Sequence, residues 1–270
     1  MSYRTILVEL SAEAAAEERL AAARELALRF GAMLVGMHVA TFAVPFAAGD
    51  LSVYIPPETL EAQRQAHLEI RERALAVFHR VCGEEGPKVA WRDGAGRDGL
   101  ALAAAARSAD LVVAGGRRPG YGEETSLIED LVSAAGVPVV MVPPGVSSVT
   151  GSRVLVAWNG KREAARAAHD ALPFLRAAER VVLCAVGEVA GAGLDDAVGM
   201  LRRHGVPVRA ERLAGGDLHA GEILLARAAV DWADLLVMGA YGHSRLRELV
   251  VGGATRHVLH HATLPVLFSS

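Results

Sequence analysis

The chemistry most legible in this sequence sits in one segment, GAYGHSRLRELVVGGATRHVLHHA, which begins at Gly239 directly after the apolar run Leu235 to Met238. Gly239, Gly242, Gly252 and Gly253 cluster where a strand ends and a helix begins. Glycines let backbone N–H groups come close to an oxyanion, and a helix N-terminus adds unpaired donors and partial positive charge. That combination binds phosphate. The segment is not GxGxxG and has no P-loop lysine, so neither dinucleotide binding nor kinase-type chemistry follows from it.

Other residues offer less. His257, His260 and His261 share one expected helix at i, i+3, i+4, a spacing that can put two imidazoles on one face, but no carboxylate or cysteine completes a metal set. His219, in GGDLHAGE, precedes a helix near the expected crevice and reads as an ordinary helix-start residue. No GxSxG or HExxH occurs, and Ser244 beside His243 has no orienting acid, so a hydrolytic nucleophile is not in sight. Cys82 and Cys184 lie far apart and outside any CxxC, which points to buried thiols in a reducing compartment.

The elements that must position the glycine segment come in two copies. Arg4-TILVEL matches Arg153-VLVAWN, Asp110-LVVAGG matches Asp234-LLVMGA, and Val137-PVVMVP matches Leu264-PVLFSS. The copies differ mainly in the middle, where Pro56 to Cys82 predicts a long charged helix and Leu194 to His204 a short one. β-Branched apolar runs alternate with Ala/Leu/Arg/Glu stretches, the pattern of βαβ units around a parallel sheet. Strands are expected near 4–9, 34–39, 87–91, 111–114 and 138–142, and again near 153–157, 181–186, 207–211, 235–238 and 265–268. Such a doubly wound sheet binds ligands beyond the C-terminal ends of its strands. The stretch PPGVSSVTGS, residues 143–152, joins the copies, so the expected domains are 1–145 and 151–270.

Composition agrees with this and excludes several functions. With 52% hydrophobic and only 22% charged residues the chain can bury two cores, and a formal charge of -3 with no basic stripe argues against nucleic acid as a partner. The apolar stretch between Arg29 and Asp50 has about the ~20 uncharged residues of a membrane span, yet Pro45, His38 and Thr41 interrupt it and its first part matches a repeat strand. MSYRTILVEL reaches the charged Glu9 before an apolar stretch long enough for a signal sequence develops, so secretion is not expected and a cytoplasmic, membrane-free protein is.

Gly239-x2-Gly242-x9-Gly252, running from a DLLVMG strand into a helix and then a PVL strand, resembles the nucleotide loop of universal stress proteins, and the resemblance covers nearly the whole chain, twice. It implies two tandem five-stranded doubly wound parallel-sheet domains, Rossmann-like and of universal stress protein type. In the ATP-binding branch the loop and following helix hold the phosphates, a residue at the end of the first strand contacts adenosine, and a Ser or Thr follows the last glycine. Carried onto this chain, the implied nucleotide residues are Asn159, where the family usually has Asp, then Gly239, Gly242, His243, Gly252, Gly253, Ala254 and Thr255. Gly253 stands where the hydroxyl residue is usual, which removes one phosphate donor. The implied cofactor is ATP, with or without Mg²⁺, and hydrolysis would be slow at most.

The first copy breaks the spacing. It reads GGRRPGYGEETSLIEDLV, with Arg118 at the second glycine's place, Ser126-Leu-Ile-Glu129 as a capping box, and Glu123, Glu124, Glu129 and Asp130 crowding the phosphate position. The first domain is therefore expected to be degenerate, structural or regulatory. The last strands of the two domains are expected to pair, within one chain or between two. The alternative reading is a nucleotide-independent interaction or scaffold protein with a decayed site. An enzyme of the wider adenine-nucleotide α/β group is the third.

Overall fold

A computed structural model describes residues 2–11, 15–40, 56–83, 86–96, 98–116, 127–187, 193–215, 219–240 and 253–270. The first half runs β1 (Thr5–Glu9), α1 (Ala15–Phe30), β2 (Met33–Ala40), α2 (Pro57–Cys82), β3 (Val89–Ala95), α3 (Asp98–Ala106), β4 (Leu111–Gly115), α4 (Leu127–Ala134) and β5 (Val139–Val142). The second runs β6 (Arg153–Trp158), α5 (Arg162–Asp170), α6 (Leu172–Leu175), β7 (Arg180–Val186), α7 (Leu194–Arg203), β8 (Val208–Leu213), α8 (Ala220–Val230), β9 (Leu235–Gly239), α9 (Gly253–His261) and β10 (Val266–Ser269). Every expected strand is present, displaced by a few residues at most.

All ten strands form one sheet in the order β3-β2-β1-β4-β5-β10-β9-β6-β7-β8. Each half is parallel, and the halves meet where β10 pairs antiparallel with β5, Val266 opposite Met141 and Phe268 opposite Val139. The expected pairing of the last strands thus occurs within the chain. The second half's strand order mirrors the first, the arrangement of an isologous dimer folded from one polypeptide.

The inner strands are largely apolar on both faces because helices cover both, whereas the edge strands β3 and β8 carry charged residues. Ile6 and Val8 pack with α1, α2, α5, α6 and α7 on one side, while Leu7 packs with α3, α4, α8 and α9 on the other. Each of these cores spans both halves. Tyr3, Phe30 and Phe174 seal the junction on the first face with ring centroids 5.0–5.7 Å apart. The Tyr3 hydroxyl donates to the Asp170 carbonyl at 2.6 Å; burial first, then the nearby charges of Asp170 and Asp110, pushes its pKa well above the ordinary tyrosine value.

The repeated aspartates have a structural task. Asp110 accepts the backbone N–H groups of Arg4 and Thr5, at 2.8 and 2.9 Å, and Asp234 accepts those of Ser152 and Arg153, both at 3.0 Å. Each ties the start of β4 or β9 to the start of the neighbouring first strand. Gly36 is a glycine because Phe78 of α2 lies on it: a Cβ there would sit 2.7 Å from the Phe78 ring. The apolar stretch after Phe30 begins as β2, its residues 41–55 lie outside the described residues, and no described helix is long and apolar enough to cross a membrane. Cys82 and Cys184 are buried free thiols; desolvation, then Glu211, pushes Cys184 up to about 11.

Candidate functional site

Strand order reverses between β1 and β4 and again between β6 and β9, so each half opens a crevice at the C-terminal ends of those pairs. In the second half four chain segments reach that edge: the turn after β6, the end of β9, and the N-termini of α8 and α9.

Strand β6 ends at Trp158 and the chain turns at once through Asn159 and Gly160, whose φ of 72 is the left-handed conformation a glycine tolerates. Asn159 is exposed, and its Oδ1 accepts the Lys161 N–H at 3.0 Å, an Asx turn that delivers the chain into α5. Beside it Glu163 is buried and takes a hydrogen bond from Arg162 Nε at 2.5 Å. Burial raises its pKa, but the bonds from Arg162 and from its own N–H, with the charges of Arg162 and Lys161, outweigh that and hold the carboxyl below its usual range.

Gly239 closes β9 directly under this turn. A Cβ there would lie 2.5 Å from the Glu163 carbonyl carbon and 2.6 Å from the Ala164 nitrogen. The first turn of α5 rests on bare backbone at Gly239, so close packing alone accounts for this glycine. Gly253 differs. It is the exposed first residue of α9, its φ lies outside the left-handed region, and among the described residues a Cβ would meet only His219 Nδ1 at 3.7 Å, an ordinary contact. Ala254 is half-buried and Thr255 buried, so Thr255 belongs to the packed side of α9. Gly242, His243 and Gly252 lie outside the described residues. The structure therefore gathers Asn159, Gly239, Gly253 and Ala254 at one edge of the sheet and turns Thr255 inward.

Sequence reasoning did not single out Lys161, Arg162 or Glu163, although WNGKRE follows the first repeat strand directly and that position was the available signal. His219 is the N-cap residue of α8 and makes no side-chain hydrogen bond to its helix. The three histidines of α9 do not assemble as ligands: His257 and His261 stack with ring centroids 4.3 Å apart, His261 Nδ1 contacts the His257 carbonyl at 2.8 Å, and among the described residues no group of three metal-binding side chains occurs.

The first half has a buried ion pair near the end of its first strand. At the end of β1, Glu9 pairs with Arg19 of α1 at 2.9 Å, Arg19 Nε also donates to the Glu9 carbonyl at 2.9 Å, and both residues are buried. His38 is buried next to them, its Nδ1 3.0 Å from the Leu10 carbonyl. On the other face Gly99 of α3 lies against Asp130 of α4, where a Cβ would come within 2.3 Å of the Asp130 Cβ. Asp130 thus serves the α3–α4 contact; Arg118, Glu123, Glu124 and Ser126 are outside the described residues.

Comparison with known proteins places this geometry. The model of the "Universal stress protein family" matches residues 2–143 and 151–269. Universal stress protein Slr1230 of Synechocystis sp. is 30% identical over 150 residues, 52% of this chain and 49% of that protein, so the chain spans about half the length of the curated relative it matches. A universal stress protein of Archaeoglobus fulgidus superposes over 98% of this chain and 96% of its own with a TM-score of 0.76 at 17% identity. A functionally unknown protein of Pseudomonas aeruginosa, PA1789, superposes over 99% and 92% with a TM-score of 0.59, also at 17% identity. Likenesses at that identity establish the fold. With the family's model matching both halves and its fold followed from end to end, the chain belongs to the universal stress protein family.

Proposed function

We propose that this chain is a stress-response protein that binds one adenine nucleotide, ATP, in residues 151–270, while residues 1–145 form a degenerate domain with a structural or regulatory role. The observation that carries the reading is the glycine spacing of the second half, which begins at Gly239 at the end of β9, beside the turn after β6, and is absent from the first half. Asn159 takes the adenosine end through its side-chain amide N–H groups. The backbone from Gly239 to Ala254, with Gly242, His243, Gly252 and Gly253, takes the phosphates, and Mg²⁺, where present, is bound through the nucleotide. Thr255 drops out of the phosphate set in this reading because it is buried.

One observation favours the scaffold alternative: Asn159 Oδ1 is already engaged by Lys161, and position 253 has no hydroxyl. Gly253→Ser separates the two readings. A Cβ fits at 253 without displacing a neighbour, and serine costs a helix start nothing relative to glycine, so the fold is unchanged. A hydrogen bond to a charged phosphate oxygen is worth about 1.5–3 kcal/mol, and the variant is expected to bind ATP roughly ten- to a hundred-fold more tightly by calorimetric titration. A folded variant with no gain in affinity supports the scaffold reading.

A further inference from the structure

We propose that the edge of the second half where its strands begin, around Trp232, is a docking surface for an acidic segment of another protein that carries an apolar side chain among its carboxylates. Helix α8 ends in a Schellman turn: the Trp232 N–H bonds the Ala229 carbonyl at 3.2 Å, the Ala233 N–H bonds the Ala228 carbonyl at 2.9 Å, and Trp232 has a φ of 53. That position ordinarily takes glycine, since a left-handed φ brings a Cβ against the next carbonyl oxygen. Among the described residues Trp232 is the one non-glycine with such a φ. The side chain is nevertheless 77% exposed, so neither the turn nor the core calls for tryptophan here. Ser108 stands at the matching place of the first half, two residues before Asp110. Val230, also exposed, lies on the same turn. The charge around it is one-sided. Asp231 accepts from Arg180 at 3.0 Å, Arg209 at 3.3 Å and Arg227 at 3.0 Å, and Glu211 pairs with Arg209 and Arg227. The carboxylates lie beneath, with Asp231 buried, while the Arg180 and Arg209 side chains are 48% and 45% exposed. Along the same edge Arg176, Arg202 and Arg203 face water as well, against an exposed Glu179. Tryptophan flanked by arginines is the composition of an interface hot spot. The guanidiniums match carboxylates of a partner, and the indole with Val230 matches one apolar side chain. A chain of net charge -3 is poorly suited to a nucleic-acid polyanion.

The test is selection from a random peptide library on the immobilised full chain, followed by anisotropy titration of the selected peptides, fluorescently labelled, with wild type, Trp232→Gly and Arg180→Gln. Wild type is expected to select sequences in which Glu or Asp flank a large apolar residue. Their affinity is expected to fall about tenfold or more in Trp232→Gly, to fall in Arg180→Gln, and to weaken as salt is raised. Trp232→Gly is expected to unfold no earlier than wild type, because glycine relieves the left-handed turn, so its lost binding is not lost folding. A selection without an acidic consensus, or consensus peptides bound equally by Trp232→Gly, overturns the proposal. An unfolding midpoint well below wild type in Trp232→Gly also overturns it, since the indole then serves the fold. If wild type self-associates in sedimentation, or binds a single-stranded oligothymidine, and Trp232→Gly does not, the surface belongs to a second copy or to nucleic acid, and the acidic-segment assignment falls.

Discussion

Arg19→Leu is expected to cost the folded chain about 3–5 kcal/mol, because it removes one member of a buried ion pair and strands the other. Arg19 and Glu9 are 1% and 3% exposed, and the guanidinium lies 2.9 Å from the Glu9 carboxylate while its Nε donates to the Glu9 backbone carbonyl. Leucine fills much of the volume but satisfies neither acceptor, so a carboxylate remains at the end of β1 away from water. The companion variant Glu9→Leu/Arg19→Leu, with no stranded charge, is expected to recover most of the loss, since apolar replacement of a buried pair is often neutral. Urea unfolding of the three proteins measures this. A single variant within about 1 kcal/mol of wild type means that the pair is neither dry nor structurally needed.

Gly239→Val is the second large effect. The atoms a Cβ would meet at 2.5–2.8 Å belong to the backbone of Glu163 and Ala164, which cannot swing aside as a long side chain can. Helix α5 must lift from β9, at a cost of about 3 kcal/mol, the upper end of the usual overpacking range. The shift also carries Asn159 and Lys161 with it, so ATP affinity falls together with stability. Gly253→Ala, in the same glycine segment but with open space around it, is expected to unfold within about 0.5 kcal/mol of wild type. Equal unfolding midpoints for Gly239→Val and wild type contradict the packing described here.

The contrast between these glycines shows what the sequence carries and what it conceals. All four read alike as punctuation between a strand and a helix, yet Gly239 answers to a helix from another part of the chain and Gly253 to none. The strands were legible because runs such as Val139–Val142 and Leu235–Gly239 are apolar throughout, as burial between two helical layers demands. Asp110 and Asp234 stood out as matched letters of the repeat, but their role in holding the first strand required the fold. Glu9 looked like the first charge after an apolar run; only α1 folding back makes it half of an ion pair. Gly221 in α8 reads as a weakness in a helix until α9 is seen against it. Tertiary contacts of this kind leave no local period in the chain.

The central claim is one adenine-nucleotide site per chain, in the second half. Calorimetric titration of the purified full chain with ATP, first cleared of any nucleotide it carries, tests it most directly. The account predicts one site per chain, lost in Gly242→Val, where a branched side chain would replace the glycine that the proposed site sets against phosphate. Two equivalent sites, or full ATP affinity retained in a folded Gly242→Val chain, would contradict it.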